Sequence, residues 1–445
     1  MPDNTLIRDL GDGLVLRQVR REEADAMADL NSGVFRNPDT GEPHLPSGVW
    51  VHDLITRPHP TVSLDDYTVV EDTKTGALVS SMVLISQTWS YDGIEVAVGR
   101  PEAVATRPEY RRRGLVRAQF EVAHQRSAEK GELCQAITGI PNFYRQFGYE
   151  MTVELDGWRS GALGNIPKLK EGQEEPFVVR PAREADIPFL VQVYAGGQER
   201  WLLSCVRDEA TWRLELSGRS DGSDDARLVR VIETPTGAPV GLLVHPNRLW
   251  GTDLRLIAYG LRPGVSWLAV TPTVLRYLKL TGEAMAAADP KKQFHTVTFG
   301  LGDQHPGCRA ARRRLPATGA PYSWYMRVPD LPRFLLHIRP VLERRLAESI
   351  AVGHTGELKV SFYRTGLKLA FREGRLETVE PWQPASSEDG DAGFPGLTFL
   401  HLLFGHRSTE ELRQTYADCG VWSDAASVLL PALFPKKASC VWPLA

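Results

Sequence analysis

No stretch of this sequence is apolar over the roughly 18 residues that a membrane-spanning helix needs, so no membrane span is expected. The chain also lacks a basic excess, because 52 Lys and Arg residues stand against 55 Asp and Glu residues. A general nucleic-acid binder needs a strongly basic face, and this balance argues against one. The first residues lack the basic-then-apolar pattern of a secretory signal.

Cysteine is scarce and scattered. The five cysteines lie far apart in the sequence, and no pair has the spacing of metal ligands: Cys134, Cys205, Cys308, Cys419 and Cys440. An odd number of cysteines without a secretory signal predicts reduced thiols and a cytoplasmic protein. The isolated histidines His52, His124 and His295 are predicted to be structural rather than metal ligands, so no metal site is expected.

A length of 445 residues predicts two or three domains. The first part of the chain shows the order strand, helix, antiparallel strands, basic turn, helix, strand, short helix and strand. From residue 31 to residue 66 we expect a long irregular connection, which is as typical of a packed surface loop as of a pocket wall. Candidate pocket residues on it are Trp50, Asp53, Asp65 and Asp66.

The pattern restarts after a polar linker. Residues 177–186 echo residues 14–25, which predicts a second module. In that module we expect residues 265–272 to form the central strand, followed by a helix that lacks the arginine triplet and the glycine of the first module. The remainder, from residue 330 onward, mixes helical and strand patterns, with a helix expected over residues 334–351.

Residues 104–117 carry the clearest functional signal, because an apolar strand leads there through a cationic loop into a helix. The unpaired N–H groups and the positive dipole end of a helix start attract anions. Gly114 lets a ligand approach the backbone, and Arg111, Arg112 and Arg113 offer charge-assisted bonds to phosphate. We interpret the stretch as a pyrophosphate cradle. The alternative is a basic helix start that lies in water, as most charge runs do.

Together with residues 143–149 (Phe-Tyr-Arg-Gln-Phe-Gly-Tyr), this stretch resembles the acetyl-CoA motif of the GNAT N-acetyltransferases. The family loop reads Gln/Arg-x-x-Gly-x-Gly/Ala. Arg111 and Gly114 match it, whereas Val116 departs at the last position but keeps a backbone N–H to donate. The resemblance implies an acetyl-CoA site made of ten residues: Val104, Ala105, Thr106, Arg111, Arg112, Arg113, Gly114, Leu115, Val116 and Arg117.

The layout of the whole chain is similar to that of the Eis (enhanced intracellular survival) acetyltransferases. This resemblance implies an α/β (α+β) fold with tandem GNAT modules and mixed sheets. The catalytic module would span residues 1–160, a degenerate module residues 176–329, and a sterol-carrier-like domain residues 330–445. It further implies a homohexamer that transfers acetyl from acetyl-CoA to a primary amine of an aminoglycoside-like or lysine-like acceptor.

The resemblance also assigns the chemistry. Tyr144 matches the general acid of the family, and the ordinary pKa of a phenol, about 10, keeps it protonated at neutral pH. Its alternative is a core tyrosine, and Tyr149 is a weaker rival for the acid. Residues 104–106 are expected to splay from the neighbouring strand and to offer an N–H group to the thioester carbonyl.

In Eis-like enzymes the base is the C-terminal carboxylate, which here belongs to Ala445. Burial would raise the pKa of that carboxylate and make it a better base. The alternative is a tail docked on the third domain through Trp442 and Leu444. Two other functions stay open at this point: a non-catalytic carrier of CoA or of an apolar ligand, and a structural oligomer in which the arginine triplet is incidental.

Overall fold

The computed structural model describes residues 6–37, 40–155, 157–386 and 389–442. A nine-stranded mixed sheet, here called the first sheet, forms the centre of the protein. Eight of its strands follow one another in the spatial order Leu6–Gly11, Leu14–Gln18, Tyr67–Asp72, Ala77–Tyr91, Ile94–Thr106, Cys134–Ile137, Tyr322–Arg327 and Glu150–Leu155. The ninth, Leu203–Cys205, pairs with the far end of Ala77–Tyr91.

Three helices cover the first sheet in the first part of the chain: Ala24–Val34, Leu45–Thr56 and Leu115–Glu129. The second of them corrects the expectation of an irregular connection from residue 31 to residue 66. Pro46 occupies the first turn of that helix, where a missing N–H costs nothing, and Val51, Leu54 and Ile55 pack into the core beneath it. The abundance of Pro, Gly and His in this region concealed a helix that its buried face stabilises.

The first and second modules exchange strands. Tyr322–Arg327 lies between Cys134–Ile137 and Glu150–Leu155 of the first sheet. In return, Trp158–Ala162 pairs with Thr296–Phe299 in the second module. The hydrogen-bonded ladders therefore cross the sequence boundaries near residues 160 and 329, and those domain boundaries stay predictions.

The second module contains two four-stranded sheets. Their strands are Ala258–Leu261, Pro239–Pro246, Arg227–Glu233 and Val178–Pro181 in one sheet, and Asp253–Leu256, Thr296–Phe299, Trp158–Ala162 and Ala317–Gly319 in the other. Its helices are Ile187–Gln198, Glu209–Arg213, Trp267–Ala287 and Pro306–Ala311. The second of these continues into a π-helical turn over Leu214–Gly218.

The expected central strand of the second module at residues 265–272 is wrong. These residues enter the helix Trp267–Ala287, whose N-cap is Ser266, with its side chain accepting a hydrogen bond from the Ala269 N–H. A serine N-cap of this kind stabilises a helix by about 0.5–2 kcal/mol. Pro272, the last residue of the predicted strand, lies inside the helix.

The third part of the chain forms a five-stranded sheet with helices around it. Its strands are Arg375–Trp382, Gly366–Arg372, Gly356–Ser361, Ala392–Gly393 and Gly420–Val421. Its helices are Leu331–His337, Arg339–Ala347, Phe399–Leu403, Thr409–Thr415 and Asp424–Leu433. The single helix expected over residues 334–351 is two helices that meet at Ile338, next to Pro340.

One hydrophobic core joins this third part to the first sheet. Trp89, Tyr91 and Val98 of the sheet pack in the same cluster as Phe334 and Leu403. The Tyr91 hydroxyl donates to the Leu403 carbonyl at 2.6 Å. The third part is therefore fixed against the sheet that carries the candidate site.

Candidate functional site

The strand Ile94–Thr106 separates from its parallel neighbour, Cys134–Ile137, after only two paired positions. Val98 pairs with Cys134 and Gly99 pairs with Gln135, and the ladder between these strands ends there. Pro101, just beyond the last pair, brings no N–H group to a ladder. Residues 104–106 therefore lie beyond the last paired position, on the side where the two parallel strands are no longer hydrogen-bonded and a wedge opens between them.

A β-bulge shapes the same strand from its other side. Ala105 pairs with Ser81 and Glu102 with Val83, so that residues 103 and 104 together oppose Met82. Ala103 adopts a left-handed conformation with φ of 49°, which is unusual for alanine in a strand. A bulge re-aims the backbone groups next to it, and here those groups belong to Val104. The bulge at Ala103 was not predicted from the sequence, because an alanine gives no signal for a β-bulge or for a positive φ.

The loop after this strand ends in an uncapped helix start. Gly114 is the N-cap of Leu115–Glu129, with φ of 80°, and as a glycine it has no side chain to cap the first-turn N–H groups. An ideal Cβ placed on Gly114 would meet no atom within 4 Å, so the space in front of the helix is open. The helix Trp267–Ala287 of the second module starts differently, because its N-cap Ser266 has a side chain that accepts a hydrogen bond from the Ala269 N–H.

Three arginines come directly before Gly114 in the loop. Arg111, Arg112 and Arg113 are exposed, and the Arg113 guanidinium lies 5.5 Å from the ring of Tyr110. Arg117 donates to Gln146 Oε1 at 3.0 Å and stacks over Phe147 at 5.1 Å. The helix start is thereby tied to the short segment that contains Tyr144.

Tyr144 begins the 3₁₀ helix Tyr144–Phe147, which Gly148 closes in a left-handed conformation with φ of 85°. Its ring packs edge-on against Phe120, Phe143 and Tyr325. The same cluster includes Val104 and Val116 at its margin. The structure therefore brings together three parts that are separate in the sequence: the strand with Val104, the helix start with Val116, and Tyr144.

The Tyr144 hydroxyl lies near the end of the strand Cys134–Ile137, which forms one side of the wedge. An ideal Cβ on Gly139, just past the strand Cys134–Ile137, would lie 3.9 Å from this oxygen. Burial and the nearby Glu102 carboxylate raise the pKa of Tyr144 above its ordinary value. The hydroxyl therefore keeps its proton at neutral pH and can donate it.

Tyr149, the rival candidate, is fully buried, and its hydroxyl lies 2.9 Å from Nε2 of His124. That contact gives both side chains a structural partner. The contact with His124 therefore accounts for the buried Tyr149 hydroxyl.

A large cleft of about 1100 Å³ opens between the first and second modules. Arg100 and Thr138, which flank the opening of the two parallel strands, line its floor. Phe35 lines it as well, whereas Trp50, Asp53, Asp65 and Asp66 are not among its lining residues. None of these four candidates lines this cleft, whereas Trp50 and Asp53 line a smaller pocket together with His59 and Arg219.

Two of these four candidates, Asp53 and Asp66, have structural partners. Asp53 accepts hydrogen bonds from the Ser220 N–H and hydroxyl, each at 2.7 Å, and so joins the two modules. Asp66 pairs with Lys130 at 2.5 Å. These bonds give both buried carboxylates their partners.

The end of the described chain reaches the cleft. Cys440 donates its N–H to the Leu203 carbonyl, and Ser439, Cys440, Val441 and Trp442 line the cleft wall. The Trp442 ring lies 3.7 Å from the Arg207 guanidinium, and Arg207 donates to the Trp442 carbonyl at 2.9 Å. Trp442 therefore docks on the second module, and the alternative of docking on the third domain through Trp442 is wrong. Leu444 and Ala445 lie outside the described residues.

Within the described ranges, no group of three or more His, Cys, Asp or Glu side chains is arranged to hold a metal ion. None of the helices in those ranges has both the length and the apolar character needed to span a membrane.

Comparison with known proteins bears on the first module directly. The family model of an acetyltransferase (GNAT) domain matches residues 15–152, which include the wedge, the loop and Tyr144. No curated protein sequence matches the chain significantly.

Solved structures show the same fold over nearly the whole chain. A probable N-acyltransferase of unknown function from Enterococcus faecalis is 14% identical with a TM-score of 0.65, and the match covers 97% of this chain and 100% of that one. Eis1 from Mycobacterium abscessus is 13% identical with a TM-score of 0.59, covering 97% and 99%. N-myristoyltransferase from Saccharomyces cerevisiae, solved with bound myristoyl-CoA, is 12% identical with a TM-score of 0.52, covering 73% and 81%. The resemblance to the GNAT enzymes and the mixed α+β fold are thereby confirmed.

Proposed function

Because residues 15–152 form a GNAT acetyltransferase domain, we propose that this protein transfers an acetyl group from acetyl-CoA to a primary amine. The observation that carries the proposal is the wedge between two parallel strands, which opens directly beside an uncapped, arginine-rich helix start. A wedge exposes unpaired backbone groups to an extended ligand, and the helix start accepts its phosphates.

The residues present fit this cosubstrate. Gly114 leaves open space before the helix, and the first-turn N–H groups have no side-chain cap. The backbone of Leu115, Val116 and Arg117 supplies those donors, so valine at the last motif position retains the contact that the family loop makes. Arg111, Arg112 and Arg113 add charge that suits a pyrophosphate.

The chemistry follows from the positions of the chain's own groups. Bound acetyl-CoA supplies an activated thioester. Val104 lies in the bulge that follows Glu102, and we propose its N–H as the donor that stabilises negative charge on the carbonyl oxygen. Tyr144, protonated because burial raises its pKa, donates a proton to the departing sulfur.

We propose the Ala445 carboxylate as the base that takes a proton from the attacking amine. We also propose the cleft between the first and second modules as the acceptor site, here called the acceptor cleft. The support for the terminal base is the course of the tail, since Ser439–Trp442 lines this cleft and Arg207 holds Trp442 there. The sequence resemblance implies two types of acceptor, aminoglycoside-like and lysine-like amines. The hexamer, the cytoplasmic location and the sterol-carrier-like third domain stay predictions.

Substitution of Gly114 by valine tests the cradle. A β-branched side chain is strained at φ of 80° and would fill the open space, so we expect the affinity for acetyl-CoA to fall by at least about tenfold. Gly237→Val is a matched control, because Gly237 has φ of 83° and equally open surroundings in a distant turn. Calorimetric titration with acetyl-CoA measures both. Equal affinity in the two variants would contradict the assignment of the loop.

Deletion of Leu444 and Ala445 tests the terminal base. Removing two residues draws the carboxylate back by up to about 7 Å along an extended chain. We expect kcat to fall by about 10²–10⁴-fold, the usual contribution of a general base, while acetyl-CoA affinity is unchanged. Ala445→Gly keeps a carboxylate at the same position and should retain activity. Unchanged turnover in the deletion variant would remove the terminal base from the mechanism and leave the acetyltransferase assignment standing.

A further inference from the structure

The walls of the acceptor cleft carry charge of mostly one sign. Seven Lys and Arg side chains line it, against the three described carboxylates Glu154, Asp224 and Asp225. The whole chain has a net charge of −3, so the cationic lining is a local concentration rather than a reflection of composition. A cleft of this sign attracts anionic ligands and repels polycations.

The charges are also arranged along the cleft. At the end of the cleft next to the wedge, here called the inner end, Arg100 is paired with Glu102. Burial raises the pKa of Glu102, Arg100 opposes that rise, and the Asp225 carboxylate adds to it. Asp225, which lines the cleft near Glu102, offers a carboxylate oxygen to a protonated amine before it reacts. The inner end is therefore suited to the reacting group of the acceptor.

The outer end is cationic and aromatic. Lys291 and Lys292 are exposed at the cleft, with Arg248 on the same wall. Trp250 is 68% exposed, and the Arg255 guanidinium lies 4.9 Å from its ring. An exposed tryptophan beside several cations presents a surface for the far end of a ligand that carries negative charge.

From this arrangement we infer that the acceptor is an amine that carries an anionic group at its far end, such as a carboxylate. The inference rests on the proposed function, because it assumes that the cleft holds the acceptor. Of the two acceptor types implied by the sequence, it favours the lysine-like amine with its carboxylate and disfavours the polycationic aminoglycoside.

Three six-carbon amines test the inference on the full-length protein: aminocaproate, which ends in a carboxylate, hexylamine, which ends in a methyl group, and diaminohexane, which ends in a second amine. We expect kcat/KM for aminocaproate to exceed both others by at least about fivefold at low salt, as two exposed charge contacts would give. The preference should shrink at high salt, since exposed charges are screened.

Charge reversal locates the effect. The double variant Lys291→Glu, Lys292→Glu should remove the preference for aminocaproate while changing the hexylamine rate by less than about twofold. The double variant Lys168→Glu, Lys170→Glu makes the same change of net charge at exposed positions outside the cleft lining, and it should keep the preference.

Calorimetric binding of the three amines to the CoA-bound protein separates this inference from the proposed function. Tighter binding of aminocaproate that the Lys291 and Lys292 reversal abolishes supports the inference, even if no amine is acetylated and the proposed function fails. The inference would be overturned if the protein preferred hexylamine or diaminohexane. It would also be overturned if both double variants kept the same preference. Release of CoA with any amine would still uphold the proposed function.

Discussion

Replacement of Tyr144 by phenylalanine is expected to lower kcat by about 10²–10⁴-fold, the usual contribution of a general acid. The substitution removes one oxygen and keeps the ring that packs against Phe120, Phe143 and Tyr325. The affinity for acetyl-CoA should therefore change little, since the loop and the helix start are untouched. Steady-state rates of thiol release and a binding titration measure the two quantities separately.

Tyr149→Phe is the matched control for this prediction. It also removes a buried hydroxyl from the aromatic cluster, and there the loss is the contact with His124. We expect a decrease in stability of about 1 kcal/mol and a nearly unchanged kcat. A non-catalytic carrier of CoA would predict that Tyr144→Phe leaves every measurable property intact, and that outcome would remove Tyr144 from the mechanism.

The pH dependence gives a further check on the same residue. Burial raises the pKa of Tyr144 above the ordinary value of about 10, so its proton is present throughout the neutral and mildly alkaline range. The ratio of the wild-type kcat to that of Tyr144→Phe should thus stay constant from about pH 7 to pH 9.5. A ratio that falls within this range would mean that the tyrosine loses its proton too early to serve as the acid.

Glu215→Gln is expected to destabilise the protein by about 3–5 kcal/mol, because it leaves buried arginines without their carboxylate. Glu215 is 3% exposed and accepts hydrogen bonds from Arg207 at 2.9 Å and Arg219 at 2.7 Å. Since Arg207 also holds Trp442, the substitution should loosen the tail at the acceptor cleft as well. Chemical denaturation measures the loss of stability.

Glu209→Gln provides the control in the adjacent helix. Glu209 pairs with Arg213 at 3.0 Å, but both side chains are more than half exposed. An exposed pair of this kind contributes about 0–1 kcal/mol. A comparable, small loss in both variants would show that the buried cluster does not contribute the stability we assign to it.

The contribution of Glu215 should also depend on pH with a definite sign. Burial alone would raise its pKa, but Arg219, Arg207 and Arg227 outweigh burial and lower the pKa to about 2. A carboxylate whose pKa is lower in the folded state stabilises the protein above its unfolded pKa, about 4.3, and loses that contribution as the pH falls toward 2. The difference in stability between wild type and Glu215→Gln should accordingly be constant above about pH 5 and shrink in acid.

Local features of the site were accessible from the sequence. The Asp92-Gly93 turn adopts φ of 50° and 98°, which is the conformation that this residue pair favours. The helix after Gly114 and the short helix closed by Gly148 likewise follow from residues whose conformational preferences act over a few positions. The motif could be recognised because its strand, loop and helix are contiguous in the chain.

The cleft between the first and second modules could not be predicted, because its parts are distant in sequence. Arg100, Trp250 and Trp442 meet there only through tertiary packing. The insertion of Tyr322–Arg327 into the first sheet depends on pairing between strands more than 160 residues apart, which no local propensity encodes. The Ser266 cap, by contrast, is a local signal that could have identified the helix Trp267–Ala287.

Amine-dependent release of CoA thiol from acetyl-CoA, with mass analysis of the amine, tests the central claim most directly. The account predicts one N-acetylated amine for each thiol released, at a rate that Tyr144→Phe lowers severely. Absence of amine-dependent thiol release across carboxylate-bearing, neutral and cationic amines, from a folded protein that binds acetyl-CoA, would contradict it.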